Sequence, residues 1–294
     1  GLSATGIDYL RSSAFGAMIN STPELVMPPS ENLRDESYTL FQGLFSKRVP
    51  TIYAATADGQ LHAFAINKQD NSLNELWSFI PPAVLPSIGE QYPTRYEAAN
   101  KTLLSGPIVV GEVAGDASPT AGRFLTRTAP TPSSFNTAKW YTVLLGTYGS
   151  SQGYFAFDVT NPDRDETKKV TGYTSGPRFL WQLTTDKDGN PLFGSRSTRP
   201  AIATLYFVMP GSGVGTLPAR HAVAILPGGY GGVRSNDETN LETTTFPTGS
   251  VANIVGVTHR TKTAKYTPVS NNPQDVLSLA GARSLTIVRL DTGE

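Results

Sequence analysis

The apolar residues of this chain fall in short runs broken by Gly, Pro, Asn and Asp, and the runs repeat in a fixed order. Residues 51–66 read as strand, Gly-containing turn and strand, and residues 75–80 follow as a strand centred on Trp77. The same order returns at 141–149 and 153–159, followed by 179–183 around Trp181. A third copy occupies 221–232 and 284–294, where the sequence stops before any Trp strand. These runs are rich in Val, Ile, Tyr, Phe and Thr, which pack well on a pleated surface. Alternation puts Leu61, Ala63 and Ala65 on one face and His62, Phe64 and Ile66 on the other, so both faces are expected to be largely buried.

Each copy is preceded by an apolar run containing Pro: residues 17–26, 104–111 and 198–205, with Pro23, Pro107 and Pro200. Proline cannot donate to a sheet ladder and belongs at a strand start. Strand, hairpin and Trp strand in repetition is the pattern of a β-propeller blade. The expected fold is therefore all-β: a β-propeller segment of four-stranded blades, about two and three-quarter of them, with long loop and helix insertions. Blade one covers about residues 15–80, blade two about 104–183, and an incomplete blade three about 197–294. Asp58-Gly59 predicts a two-residue type I′ hairpin turn, which requires φ > 0 at both positions. A blade takes about 40–45 residues, so the stretches 81–103, 115–139 and 233–283 are inserts. The first carries an apolar stretch, 82–88, then a polar segment expected to be helical. Blade strands are occupied with stacking, so the inserts are expected to face a partner. A propeller must cover its sheet edges. The missing Trp strand of the third copy thus predicts further strands, from beyond Glu294 or from another polypeptide.

Composition narrows the function classes. The 24 Lys and Arg are balanced by 24 Asp and Glu, so there is no electrostatic footprint for nucleic acid. No apolar run approaches the about 20 residues that span a bilayer. Cysteine is absent, which removes disulfides, zinc-thiolate sites, iron–sulfur clusters and covalently attached haem.

Four strings invite a chemical reading. Asp186, Asp188 and Asn190 alternate like calcium ligands, but Gly189 is at the fourth loop position, Pro191 stands where the invariant Gly belongs, and no acidic twelfth residue follows. A hairpin turn fits better. Residues 149–153 match G-x-S-x-G, yet a strand follows where a hydrolase elbow needs a helix. Asp291-Thr292-Gly293 resembles an aspartic-protease loop but occurs once, where two carboxylates are needed. His62, His221 and His259 have no metal-like spacing and read as structural.

Residues 52–64 followed by 75–88 resemble the opening of the C-terminal propeller of PilY-type proteins, tip-associated adhesins and biogenesis factors of bacterial type IV pili. Residues 17–28, 143–159, 180–205 and 222–231 resemble further segments of that family in the same order. The resemblance implies a non-enzymatic pilus-tip protein, exported through the periplasm to the cell surface, that supports pilus assembly, retraction and adhesion. The implied partners are pilin-like or minor pilin subunits, chains that complete the propeller, and host or abiotic surfaces. Calcium-dependent members carry an Asp-rich loop after a strand like the one ending at Glu294, so the resemblance places calcium downstream and no cofactor within this segment. Quinoprotein dehydrogenases share the blade signature, and there the Trp docks one blade on the next. That likeness gives Trp77, Trp181, Asp58 and Gly59 a structural docking role. A quinone site would also need a Trp platform, a calcium-binding set and a catalytic Asp, and Trp140 has no such company. A quinoprotein-like enzyme and another extracellular propeller scaffold are the alternatives.

Overall fold

The computed structural model describes residues 7–8, 15–91, 102–115, 124–127, 138–148, 153–185, 192–193, 198–208, 218–228 and 285–294, with side chains at 89–91 left aside. The described residues form three four-stranded antiparallel sheets. The first is β1 (Glu24–Val26), β2 (Thr51–Ala55), β3 (Leu61–Ile66) and β4 (Leu73–Phe79), paired in chain order. The second is β5 (Ile108–Gly115), β7 (Lys139–Thr147), β8 (Tyr154–Asp158) and β9 (Arg178–Leu183), again in chain order. The third joins β10 (Ala201–Phe207), β11 (Ala219–Pro227) and β12 (Leu285–Arg289), and β6 (Thr126–Arg127) also pairs with β11. Among the described residues no helix is long and apolar enough to cross a membrane.

The repeat holds down to single hydrogen bonds. Ile66 N donates to Pro50 O at 2.9 Å, Val159 N to Thr142 O at 2.9 Å, and Leu290 N to Ala222 O at 3.0 Å, closing the same point of three hairpins. From that anchor Ala63-Phe64 aligns with Ala156-Phe157. The ladder to the fourth strand slips at this point in both sheets, between Ala63 and Phe64 and between Ala156 and Phe157. The residue skipped is the Leu before the Trp, Leu76 or Leu180, so a β-bulge aims Trp77 opposite Ala63 and Trp181 opposite Ala156. Each inner strand starts directly after its proline, at Glu24, Ile108 and Ala201. The expected strands from 17, 104 and 198 therefore begin too early, because the proline ends the preceding loop instead of joining the ladder.

Side chains of both inner faces interdigitate as in stacked sheets. Tyr53, Leu61, Ala63 and Trp77 of the first sheet pack with Leu144, Phe155 and Phe157 of the second. Val143, Leu145, Tyr154, Ala156 and Trp181 on the other face of the second sheet pack with Ala222, Ala224, Leu226 and Val288 of the third.

Three local expectations are corrected. First, the Asp58-Gly59 turn is a three-residue loop, 57–59, since Thr56 N donates to Gln60 O at 2.9 Å beyond the last ladder pair, Ala55 and Leu61. Gly59 alone has positive φ (94°). Gly59 N donates to Thr56 O at 3.0 Å, and Asp58 braces the loop by accepting from Thr56 Oγ1 at 2.5 Å and Gln60 Nε2 at 3.1 Å. Second, helix α1 (Glu36–Leu44) lies inside the first repeat, where no helix was expected. Asp35 caps it by accepting from Ser37 N, Glu36 complements the helix dipole, and Tyr38 and Phe41 are buried with Phe45 just beyond. Third, helix α2 (Leu85–Gln91) forms on the apolar stretch, with the polar segment after it outside the described residues. In the described parts of the first two inserts Val84, Ile88, Leu125 and Phe124 are buried, and β6 is part of the third sheet. The insert 233–283 lies outside the described residues, as do Asp186, Asp188, Asn190 and His259.

Candidate functional site

The two Trp residues bridge sheets. Trp77 Nε1 on β4 donates to Pro162 O at 2.9 Å, in the turn beyond β8 of the second sheet. Trp181 Nε1 on β9 donates to Leu290 O at 2.9 Å, beyond β12 of the third sheet. The Trp181 ring also lies against Gly293, where an added Cβ would come within 3.0 Å of the indole and φ is +74°. The Asp291-Thr292-Gly293 string is thus a tight turn fitted under an indole. The Asp58 loop sits at another junction: Ala57 N donates to Ala17 O at 2.8 Å, and Leu103 N to Ala57 O at 2.9 Å. Asp58 is buried there against Gly16, so this loop joins the N-terminal segment to the strand entering the second sheet.

Beside that loop Thr56, His62 and Glu75 are spaced like a hydroxyl–imidazole–carboxylate relay. Thr56 Oγ1 is 3.2 Å from His62 Nε2, and His62 Nδ1 is 2.6 Å from Glu75 Oε1. A nucleophile must reach substrate and pass its proton to the imidazole. Thr56 is fully buried, and its hydroxyl is shorter to Asp58 Oδ1, at 2.5 Å. The arrangement locks the loop. Trp140, the third indole, is also engaged structurally, donating to Ser37 Oγ at 2.9 Å. Among the described residues, no group of three or more His, Asp or Glu is placed to hold a metal ion. The strand Tyr154–Asp158 follows the G-x-S-x-G string, as its context required.

No family model and no solved structure matches the chain. Two curated proteins do. A type IV pilus biogenesis factor PilY1 homolog from Xylella fastidiosa (strain Temecula1 / ATCC 700964) is 27% identical over 202 residues, covering 66% of this chain and 13% of that protein. The type IV pilus biogenesis factor PilY1 of Pseudomonas aeruginosa (strain UCBPP-PA14) is 26% identical over 221 residues, covering 70% of this chain and 16% of that protein. This chain is a distant PilY1-type relative. It spans less than a fifth of the length of the relatives it matches.

Two buried polar clusters escape a reading of the sequence. In one, Arg48 Nη1 donates to Thr142 Oγ1 at 2.6 Å, Nη2 is 3.2 Å from Glu112 Oε1, and Nε donates to Met27 O at 3.1 Å. Tyr38 Oη donates to the other oxygen of Glu112. Burial and the Glu112 carboxylate push the Tyr38 hydroxyl far above the ordinary tyrosine range. This cluster ties α1 and its flanks to β5 and β7. In the other, Arg289 Nη2 donates to Asp291 Oδ2 at 2.8 Å, Leu125 N donates to the same oxygen at 2.8 Å, and Arg289 Nη1 is 3.1 Å from His221 Nδ1. Arg127, beside it, pairs with the cap residue Asp35 of α1. A lone Arg or Glu in a strand of mixed polarity carries no local sign of a partner far along the chain. The one legible hint was Arg289, a cation in an otherwise apolar run.

Proposed function

We propose that this chain is a stack of propeller blades in a type IV pilus biogenesis factor and works by binding, not catalysis. One observation carries the reading: an indole from each of two sheets is hydrogen-bonded into the next, at matching points of a repeat, in a chain whose relatives are named as pilus biogenesis factors. In this reading Trp77 and Trp181 dock successive blades, the Asp58-Gly59 loop secures the junction between the first two, and the stack presents its inserts to pilin-like subunits or a surface. The location is the cell exterior, at the pilus tip.

The test is to replace Trp77 and Trp181 together by Ala in the full-length gene of the piliated host and to measure surface pili, twitching and attachment. Loss of piliation or attachment, reversed by the wild-type gene, is the expected result. Normal pili and normal attachment with the altered protein unfolded would sink the proposal. Quinone-dependent alcohol oxidation by the purified wild-type protein would overturn the non-catalytic part.

A further inference from the structure

The inserted strand β6 is held on the third sheet by a histidine that must be neutral. β11 uses one edge for β10 along Ala219–Ile225, so β12 and β6 share its other edge, β12 from Val223 onward and β6 at Arg220 and His221. Besides the β6–β11 ladder, the Arg127–Asp35 pair and the burial of Phe124 and Leu125, three contacts link the segment carrying β6 to the His221 cluster. Ala222 N donates to Leu125 O at 3.0 Å, Leu125 N donates to Asp291 Oδ2, and Thr126 Oγ1 lies 3.2 Å from His221 Nδ1. That same Nδ1 faces Arg289 Nη1 at 3.1 Å. A guanidinium has only donors, so Nδ1 must be an acceptor and the imidazole uncharged. Placing a proton on Nδ1 would set two cations donor against donor in a buried space, where the repulsion is poorly screened.

We propose that His221, Arg289 and Asp291 form an acid-sensitive latch that fastens the inserted strand β6 to the edge of the third sheet. Protonation of His221 pushes Arg289 away, and Arg289 is the cation that neutralises Asp291, the acceptor for Leu125 N. The chain of contacts therefore fails as a unit and frees Leu125–Arg127 together with its tie to α1.

The other groups around His221 fit this direction. Phe207 of β10 lies over the ring at 4.6 Å. Arg220 of β11 and Arg127 of β6 are paired across the ladder on the opposite face, with Arg127 drawn to Asp35. Burial first, and Arg289 second, hold His221 below its ordinary value of 6.5, against the Phe207 backbone and Asp291. In the unfolded chain that imidazole protonates at its ordinary value, and detachment of β6 with displacement of Arg289 relieves part of the burial and repulsion that lower it in the fold. The latch therefore contributes fully above 6.5 and is lost as pH falls through that value towards the lowered folded one.

Hydrogen exchange of the whole chain, corrected for intrinsic rates, tests this between about pH 7.5 and about pH 5. The expected result is a loss of protection at Leu125 and Ala222 on acidification. The amides of Val143 and Leu145 keep theirs. His221→Gln, which retains a neutral acceptor, should abolish the pH dependence. Unchanged protection at Leu125 across the range, or the same pH profile in His221→Gln, overturns the proposal. If that variant does not fold, the imidazole resonance of wild-type His221 decides: titration below 6.5 supports the latch, and titration at or above it refutes it.

Discussion

On the second sheet, Tyr154, Ala156 and Trp181 form a face that the third sheet covers. On the third sheet the matching positions are Leu285, 53% exposed, and Ile287, 49% exposed. The hairpins are alike, down to the hydrogen bond that closes them. What differs is the neighbour: β9 and its indole flank β8, whereas along β12 no Trp strand is among the described residues. Burial in this repeat is therefore set by the adjoining strand and sheet more than by the pattern of the hairpin itself.

The largest effect should come from removing an indole. Trp181→Ala deletes a buried aromatic between two sheets and leaves Leu290 O without its donor, so denaturant unfolding should show a loss of about 3–5 kcal/mol. Trp181→Phe keeps most of the apolar area and should lose about 1–2 kcal/mol, mainly the hydrogen bond. If Phe were as damaging as Ala, the carbonyl contact rather than the packing would join the sheets. Arg48→Met should come next, at about 3 kcal/mol, because it strands the Glu112 carboxylate in a buried site. The double change with Glu112→Met should recover part of the loss, since no charge is then left unpaired. A double variant no better than the single would show that packing by the Arg48 stem matters more than its charge.

Asp158 and Arg289 occupy the same repeat position, two charges in place of Ala65 of the first sheet. Burial outweighs the Thr160 hydrogen bonds and holds Asp158 above its usual 3.8. The folded chain thus binds this proton more tightly than the unfolded chain, and the ionised carboxylate costs stability at neutral pH. That cost falls away as pH drops through the raised value. Asp158→Asn should flatten this part of the pH profile of thermal unfolding, with a smaller effect at pH 7 than Arg48→Met. An unchanged acid profile would assign the dependence to another group.

The hairpins and Trp strands were legible in the sequence because their signals are local: alternation, a proline before the strand, a glycine in the turn. The type I′ turn does not form because Gly59 N bonds Thr56 O, which puts Ala57 and Asp58 at the centre of the turn and leaves Gly59 alone in the loop at positive φ, a one-residue shift the dipeptide does not show. Helix α1 had a readable start at Asp35-Glu36 and a buried stripe at Tyr38, Phe41 and Phe45, but Gly43 and its short length weakened the periodicity. β6 is two residues long and exists only because β11 has edge left beyond β12, which no local pattern reports. The clusters around Arg48 and Arg289 are hidden for the same reason: apart from Arg289 itself, a cation in an apolar run, and its near neighbour Asp291, their partners are distant in sequence and meet only once the sheets stack.

The smallest effect sharpens the opening comparison most directly. Ile287 and Val288 are neighbours on β12 and point to opposite faces, Ile287 half-exposed and Val288 buried at 6% against the second sheet. Putting Thr at Val288 keeps the shape but sets a hydroxyl in the core, which should cost about 1–2 kcal/mol. Thr at Ile287 keeps a β-branched residue in the strand and should change stability by no more than about 0.5 kcal/mol, the usual range for surface substitutions. The difference between the two measures how far the outer face of the third sheet is open in solution. If Ile287→Thr cost as much as Val288→Thr, that face would be covered, and the contrast between the second and third sheets would disappear.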